Sequence, residues 1–213
     1  MRITKIGHCC LVIEDKGVKL LTDPGNYSTG QDEVTGISAV LITHEHADHL
    51  HVDSLKKVMA NNPTARVITN NAVSEILKKE NIACEIIAHK DETDVGGILV
   101  QGYGDTHAEV YITIPPVENT GYMIGERLFY PGDAFYDPGC PVDILALPVA
   151  GPWLKISDAI EYCRTIHPKV AFAVHDGMTK EWIAQKSQSM VKMILEKVGI
   201  NFVTIADGES RDF

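Results

Sequence analysis

One short segment dominates what this chain can become: Thr43-His44-Glu45-His46-Ala47-Asp48-His49, which continues the apolar run Ala39-Val40-Leu41-Ile42. A brief unbroken apolar run reads as a central strand buried on both faces. Extended backbone points residues two apart in the same direction. His44 and His46 can therefore converge on one cation as the strand ends, and the turn toward the helix beginning near Leu50 lets Asp48 and His49 face a neighbouring point. Neutral imidazole nitrogen and carboxylate oxygen are ligands that suit zinc, iron or manganese.

A metal needs further ligands to complete its shell, and the chain offers them at other strand exits, where sites gather. His107 ends Gly102-Tyr103-Gly104-Asp105-Thr106-His107, Asp133 ends Tyr130-Pro131-Gly132-Asp133, and His175 follows Val170-Ala171-Phe172-Ala173-Val174. His89 competes with His107; the glycine-flanked loop and the spacing ahead of Asp133 favour His107. His51 reads as exposed or as standing behind a ligand. His167, before Pro168, reads as a partner for a helix C-terminal dipole. Tyr27, Tyr136, Trp153 and Met178 fall on loops beside these motifs, with ordinary packing as their expected role.

The rest of the pattern alternates strands and helices. Strands are expected at Arg2–Ile6, Cys10–Glu14, Val18–Thr22, Ala39–Thr43, Arg66–Thr69, Glu85–Ala88, Ile98–Tyr103, Glu109–Ile114, Gly121–Ile124, Arg127–Tyr130, Asp143–Leu147 and Lys169–Val174, with Asn201–Ile205 as the last. Apolar residues at helical spacing mark helices around Val52–Met59, Val73–Leu77, Ile156–Ile166 and Ile183–Val198. No repeat, low-complexity tract or linker interrupts the 213 residues, so a single domain over 1–213 is expected. Two face-to-face sheets with helices outside would bury every apolar stripe, giving an α/β four-layer αββα sandwich. An open α/β sheet fits the pattern equally well.

With its order of motifs, the chain resembles the metallo-β-lactamase fold superfamily, in particular the short single-domain metal-dependent hydrolases that include L-ascorbate-6-phosphate lactonase-like proteins. The matching pieces are Ile6-Gly7-His8, Leu21-Thr22-Asp23-Pro24, Thr43–His49, His107, Pro131-Gly132-Asp133 and Val174-His175. The resemblance implies the αββα sandwich and a two-metal site at one edge. His44, His46 and His107 would hold the first divalent ion and Asp48, His49 and His175 the second, with Asp133 bridging. Zinc is the first expectation, manganese or iron the alternatives. His8 and Asp23 belong to early strand ends whose family equivalents lie near the site, where either could orient a ligand or act as a turn residue.

Two cations about 3.5–4 Å apart lower the pKa of a bridging water toward neutrality and polarise a carbonyl or phosphoryl oxygen. The expected reaction is hydrolysis of an ester-like bond, such as a lactone or phosphodiester, by a metal-bridging hydroxide, with Asp48 and His8 as candidate catalytic residues. The alternatives are an iron-dependent oxidoreductase or dioxygenase in the same cradle and a non-catalytic metal-binding regulatory module. A small-molecule substrate is expected, because 19 Lys and Arg against 29 Asp and Glu give a net charge of −10, which opposes binding to nucleic acid or anionic lipid. The polar start is no signal peptide, no apolar run approaches the roughly 18–20 residues that span a bilayer, and five cysteines lack any CxxC pair. These features suggest a cytoplasmic protein without a disulfide framework.

Overall fold

The computed structural model describes residues 1–213 and contains two seven-stranded mixed sheets. In the first half, β1 (Arg2–Gly7), β2 (Cys10–Asp15) and β3 (Val18–Thr22) form an antiparallel meander. β4 (Ala39–Leu41), β5 (Arg66–Thr69) and β6 (Glu85–Ile86) continue it in parallel, through crossovers that include α1 (Val52–Asn61) and α2 (Asn71–Lys79). The second half repeats the scheme. β7 (Glu92–Val95), β8 (Ile98–Tyr103), β9 (Gly121–Ile124) and β10 (Leu128–Tyr130) are antiparallel neighbours. β11 (Ile144–Pro148), β12 (Val170–Val174) and β13 (Asn201–Val203) add in parallel, with α3 (Ile156–Ile166) and α4 (Glu181–Glu196) between them. The final strand, β14 (Ser210–Asp212), returns to pair with β1.

Three apolar clusters account for the layering. Ile3, Leu11, Leu20, Leu41, Val100, Tyr122, Ile124 and Phe172 belong to the core between the sheets. Leu21, Val40, Val67, Leu55 and Val73 pack the outer face of the first sheet against α1 and α2. Phe129, Leu145, Ala171, Cys163 and Val191 do the same for the second sheet, α3 and α4. Successive residues of one strand thus enter different cores, Leu20 inward and Leu21 outward, which is why the central strands read as unbroken apolar runs. The order helix, sheet, sheet, helix is the αββα sandwich.

Three expectations need correction. Residues 109–114 are loop, not strand: Tyr111, Ile112 and Ile114 are 62%, 80% and 51% exposed. Their β-branched character has no partner strand to satisfy, and Pro115-Pro116 follows at once. The motif strand β4 ends at Leu41, two residues before Thr43. The strand expected over Asn201–Ile205 ends at Val203 and is not the last, because β14 follows it; β14 and the mainly polar β7 went unread. No helix is long and apolar enough to cross a membrane.

Candidate metal centre

Six strand exits meet at one rim of the sandwich, after β1 (His8), β3 (Asp23), β4 (His44 to His49), β8 (His107), β10 (Asp133) and β12 (His175). The backbone is bent sharply there: His8, Asp23 and His175 have φ of 49°, 35° and 62°. Such left-handed conformations cost of order 1–3 kcal/mol each and persist where the surroundings hold them. His175 N–H donates to the His8 carbonyl (3.2 Å) and Asp23 N–H to the Leu41 carbonyl (2.9 Å). The motif itself is a turn, with the His49 and Leu50 N–H groups both donating to the His46 carbonyl. Gly25 presses against it so closely that a Cβ would lie 1.8 Å from the Asp48 carbonyl oxygen.

The seven candidate ligands are brought together. His44 Nε2 stands 3.1 Å from His46 Nδ1. That is near the roughly 3.3 Å separation expected of two nitrogens sharing one tetrahedral ion at about 2.0–2.1 Å. His44, His46, His107 and Asp133 have ligand atoms all within 4.8 Å of one another. Asp133 also faces the other group, with Oδ2 2.9 Å from His175 Nε2 and 3.3 Å from His107 Nε2, and Oδ1 3.1 Å from His49 Nε2. Asp48 Oδ2 lies 3.4 Å from His175 Nε2 and 3.8 Å from His49 Nε2.

Surrounding hydrogen bonds decide which nitrogen the rings of His44, His49, His107 and His8 present. Thr43 Oγ1 donates its single proton to Asp23 Oδ2 (2.8 Å), so at 3.0 Å it accepts from His44 Nδ1–H, leaving His44 Nε2 a free lone pair. His49 Nδ1–H donates to Asp23 Oδ2 (2.7 Å) and His107 Nδ1–H to the Ala108 carbonyl (2.6 Å), freeing both Nε2 atoms. His8 Nδ1 accepts from Gly177 N–H at 3.1 Å, so its Nε2–H donates to Asp48 Oδ2, also at 3.1 Å.

The donor set fits divalent cations on a physical criterion. His49 Nε2, His107 Nε2, Asp133 Oδ1 and His175 Nε2 are all buried without a hydrogen-bond partner, a costly arrangement that ligation would relieve. Burial would raise the Asp133 pKa, but the neighbouring imidazoles, His49 first and then His107 and His175, outweigh it and hold the carboxyl well below its usual range. Asp48 is held low in the same way, against burial, by His175 and His8. Burial pushes His44 well below the ordinary imidazole value, which favours the neutral ring that a metal needs.

Other expectations resolve individually. Asp23 is completely buried and accepts from Thr43 N–H and Oγ1, Tyr130 OH (2.6 Å) and His49 Nδ1, so it orients a candidate ligand. His89 lies outside the cluster, accepting from Gly104 N–H and facing Tyr103 and Tyr136. His167 is the C-cap of α3, and His51 precedes α1 with its ring on Ser54. Tyr27 and Met178 are exposed, Tyr27 with its ring centroid 5.3 Å from that of His8. Cys9, which the sequence places beside a candidate site loop, borders the centre, its buried thiol within 4.8 Å of ring nitrogens of His8, His49 and His175. Sequence reasoning missed Asn119, whose Oδ1 accepts from Asp133 N–H. An asparagine twelve residues after a histidine in a loop carries no signal of its own.

Comparison with known proteins identifies the family. The family described as Beta-lactamase superfamily domain matches residues 2–175. Protein Rv0786c of Mycobacterium tuberculosis is 38% identical over 183 residues, 84% of this chain and 85% of that protein. A UPF0173 metal-dependent hydrolase of Aeropyrum pernix is 29% identical over 209 residues, 83% of this chain and 82% of its own. Igni18, a metallo hydrolase of Ignicoccus hospitalis, superposes with a TM-score of 0.77 at 19% identity, covering 100% of this chain and 98% of that one. The chain belongs to the beta-lactamase superfamily and has the metallo-β-lactamase fold.

Proposed function

We propose that the protein is a dinuclear hydrolase of an ester-like bond in a small molecule, a lactone or a phosphodiester. His44, His46 and His107 are the ligands of one cation, Asp48, His49 and His175 those of the other, and Asp133 serves both. The observation that carries this reading is the set of buried, unpartnered ring nitrogens that, with the unpartnered Oδ1, face one another around Asp133. When bound, a pair of divalent cations, zinc before manganese or iron, supplies an acidified water at neutral pH and a Lewis acid for the substrate oxygen.

The chain's own groups do the rest. Asp23 and Thr43 hold His49 and His44 in the ligating tautomer, and His8 holds Asp48 through its Nε2–H. Asp48, with 18% of its side chain exposed, connects the centre to solvent and is the group that accepts a proton during turnover. Tyr27, exposed and with its ring centroid 5.3 Å from that of His8, offers apolar surface beside the centre. The shared core between the sheets supports one domain over 1–213, and five unpaired cysteines support a reducing, cytoplasmic setting.

Elemental analysis of the purified protein tests the reading, with two equivalents of divalent metal expected. One equivalent of iron would favour the oxidoreductase. Chromogenic esters, lactones and bis-phosphodiesters, assayed with and without added zinc or manganese, then test the reaction. Metal-dependent turnover is expected on at least one class, and none on any would favour a non-catalytic metal-binding module.

A further inference from the structure

Trp153 has no part in the chemistry above, yet it touches both halves of the centre. It lies in the loop between β11 and α3, and its indole N–H donates to Asp133 Oδ2 at 2.9 Å. Its ring meets His107 and His175 edge-on, with centroids 5.8 and 5.9 Å away, and packs on Phe135 at 5.2 Å. Room for the indole is reserved by Gly151: a Cβ there would come within 2.9 Å of Trp153 Nε1 and 3.3 Å of His175 Cε1, at a φ of +146°.

An indole N–H is a donor only, so it cannot compete for a cation; it can only orient the oxygen that accepts from it. The backbone of Asp133 is fixed by its N–H bond to Asn119 Oδ1, whereas its Oδ1 is buried without a partner. The terminal torsion of an aspartate is broad, and the indole takes one lone pair of Oδ2 and leaves the other. We propose that Trp153 is a positioning residue of the metal centre, its indole N–H fixing the carboxylate plane of Asp133 so that Oδ1 faces His49 and Oδ2 faces His107 and His175. This inference rests on the dinuclear reading of the site.

The chain has two tryptophans, and the other, Trp182, is 64% exposed. Protein carrying indole-¹⁵N tryptophan, stripped with a chelator and titrated with zinc, should show one indole N–H resonance that is protected from solvent and moves until saturation. The resonance of Trp182 should stay in place as an internal reference. Trp153→Phe keeps an aromatic ring and removes the donor. Its zinc affinity, measured by competition with a chromophoric chelator, should fall about 10–100-fold, the range typical when a group behind a metal ligand is lost. The melting temperature of the stripped variant should match that of stripped wild type, and its cobalt-substituted spectrum should differ, which a purely structural role would not produce. A Trp153 resonance unmoved at zinc saturation, or an unchanged affinity in the variant, overturns the inference while leaving the dinuclear reading intact. Wild-type protein that takes up no cation overturns both.

Discussion

The single side chain with the most at stake is His46, half-buried at the mouth of the centre with its Nδ1 against His44 Nε2. His46→Ala should abolish metal-dependent turnover while circular dichroism shows the fold retained. Asp23 acts one step back. Asp23→Asn keeps the size but offers His49 Nδ1–H a neutral partner, and zinc affinity by chelator competition should fall about 10–100-fold. These two positions were unequally legible. His46 stands in a motif whose spacing has few other uses. Asp23 was left open between turn residue and ligand support, because its four donors come from Thr43, His49 and Tyr130, the last 107 residues away. Local pattern carries no information at that separation.

At the scale of elements, the central strands and all four helices were readable because burial on fixed faces leaves a period. β3, β5, β8 and β9 fall where the apolar runs put them. What escaped was structure held by pairing alone. β7 and β14 are mostly polar edge strands with little to bury. The stretch 109–114 has strand-like residues and nothing to pair with. Lys5 makes the same point in β1: its position shows only a charge within a strand, yet it is 2% exposed and its Nζ lies 2.6 and 2.7 Å from the carboxylate of Asp176, which also accepts from Gln188 of α4. This pair ties β1 and α4 to the residue next to His175. Lys5→Met would leave the carboxylate without its cation and should cost about 3 kcal/mol of unfolding free energy, measured by urea denaturation.

At the scale of the molecule, the four-layer order was expected from the resemblance and from motif sequence, since apolar stripes alone suit an open sheet as well. The ligand candidates divide between the two sheets. His44, His46, Asp48 and His49 leave the first, and His107, Asp133 and His175 leave the second. Cations bound at the seam stabilise the native state over the unfolded one, by about 2.7 kcal/mol at a free concentration 100 times the dissociation constant. Calorimetry with and without a chelator should therefore show a lower melting temperature in the stripped protein, recovered on adding zinc. Coincident transitions would contradict the ligand assignment.

The doubled architecture carries a further consequence. Each proposed ion draws on both halves, the first through His107 and the second through His175, so neither half owns a full donor set. If the polypeptide were severed in the connection between β6 and β7 and the two fragments produced separately, tight cation uptake would return only when the fragments had docked in the right register. The ions would then behave as a clasp, and their retention would report faithful assembly of the two sheets.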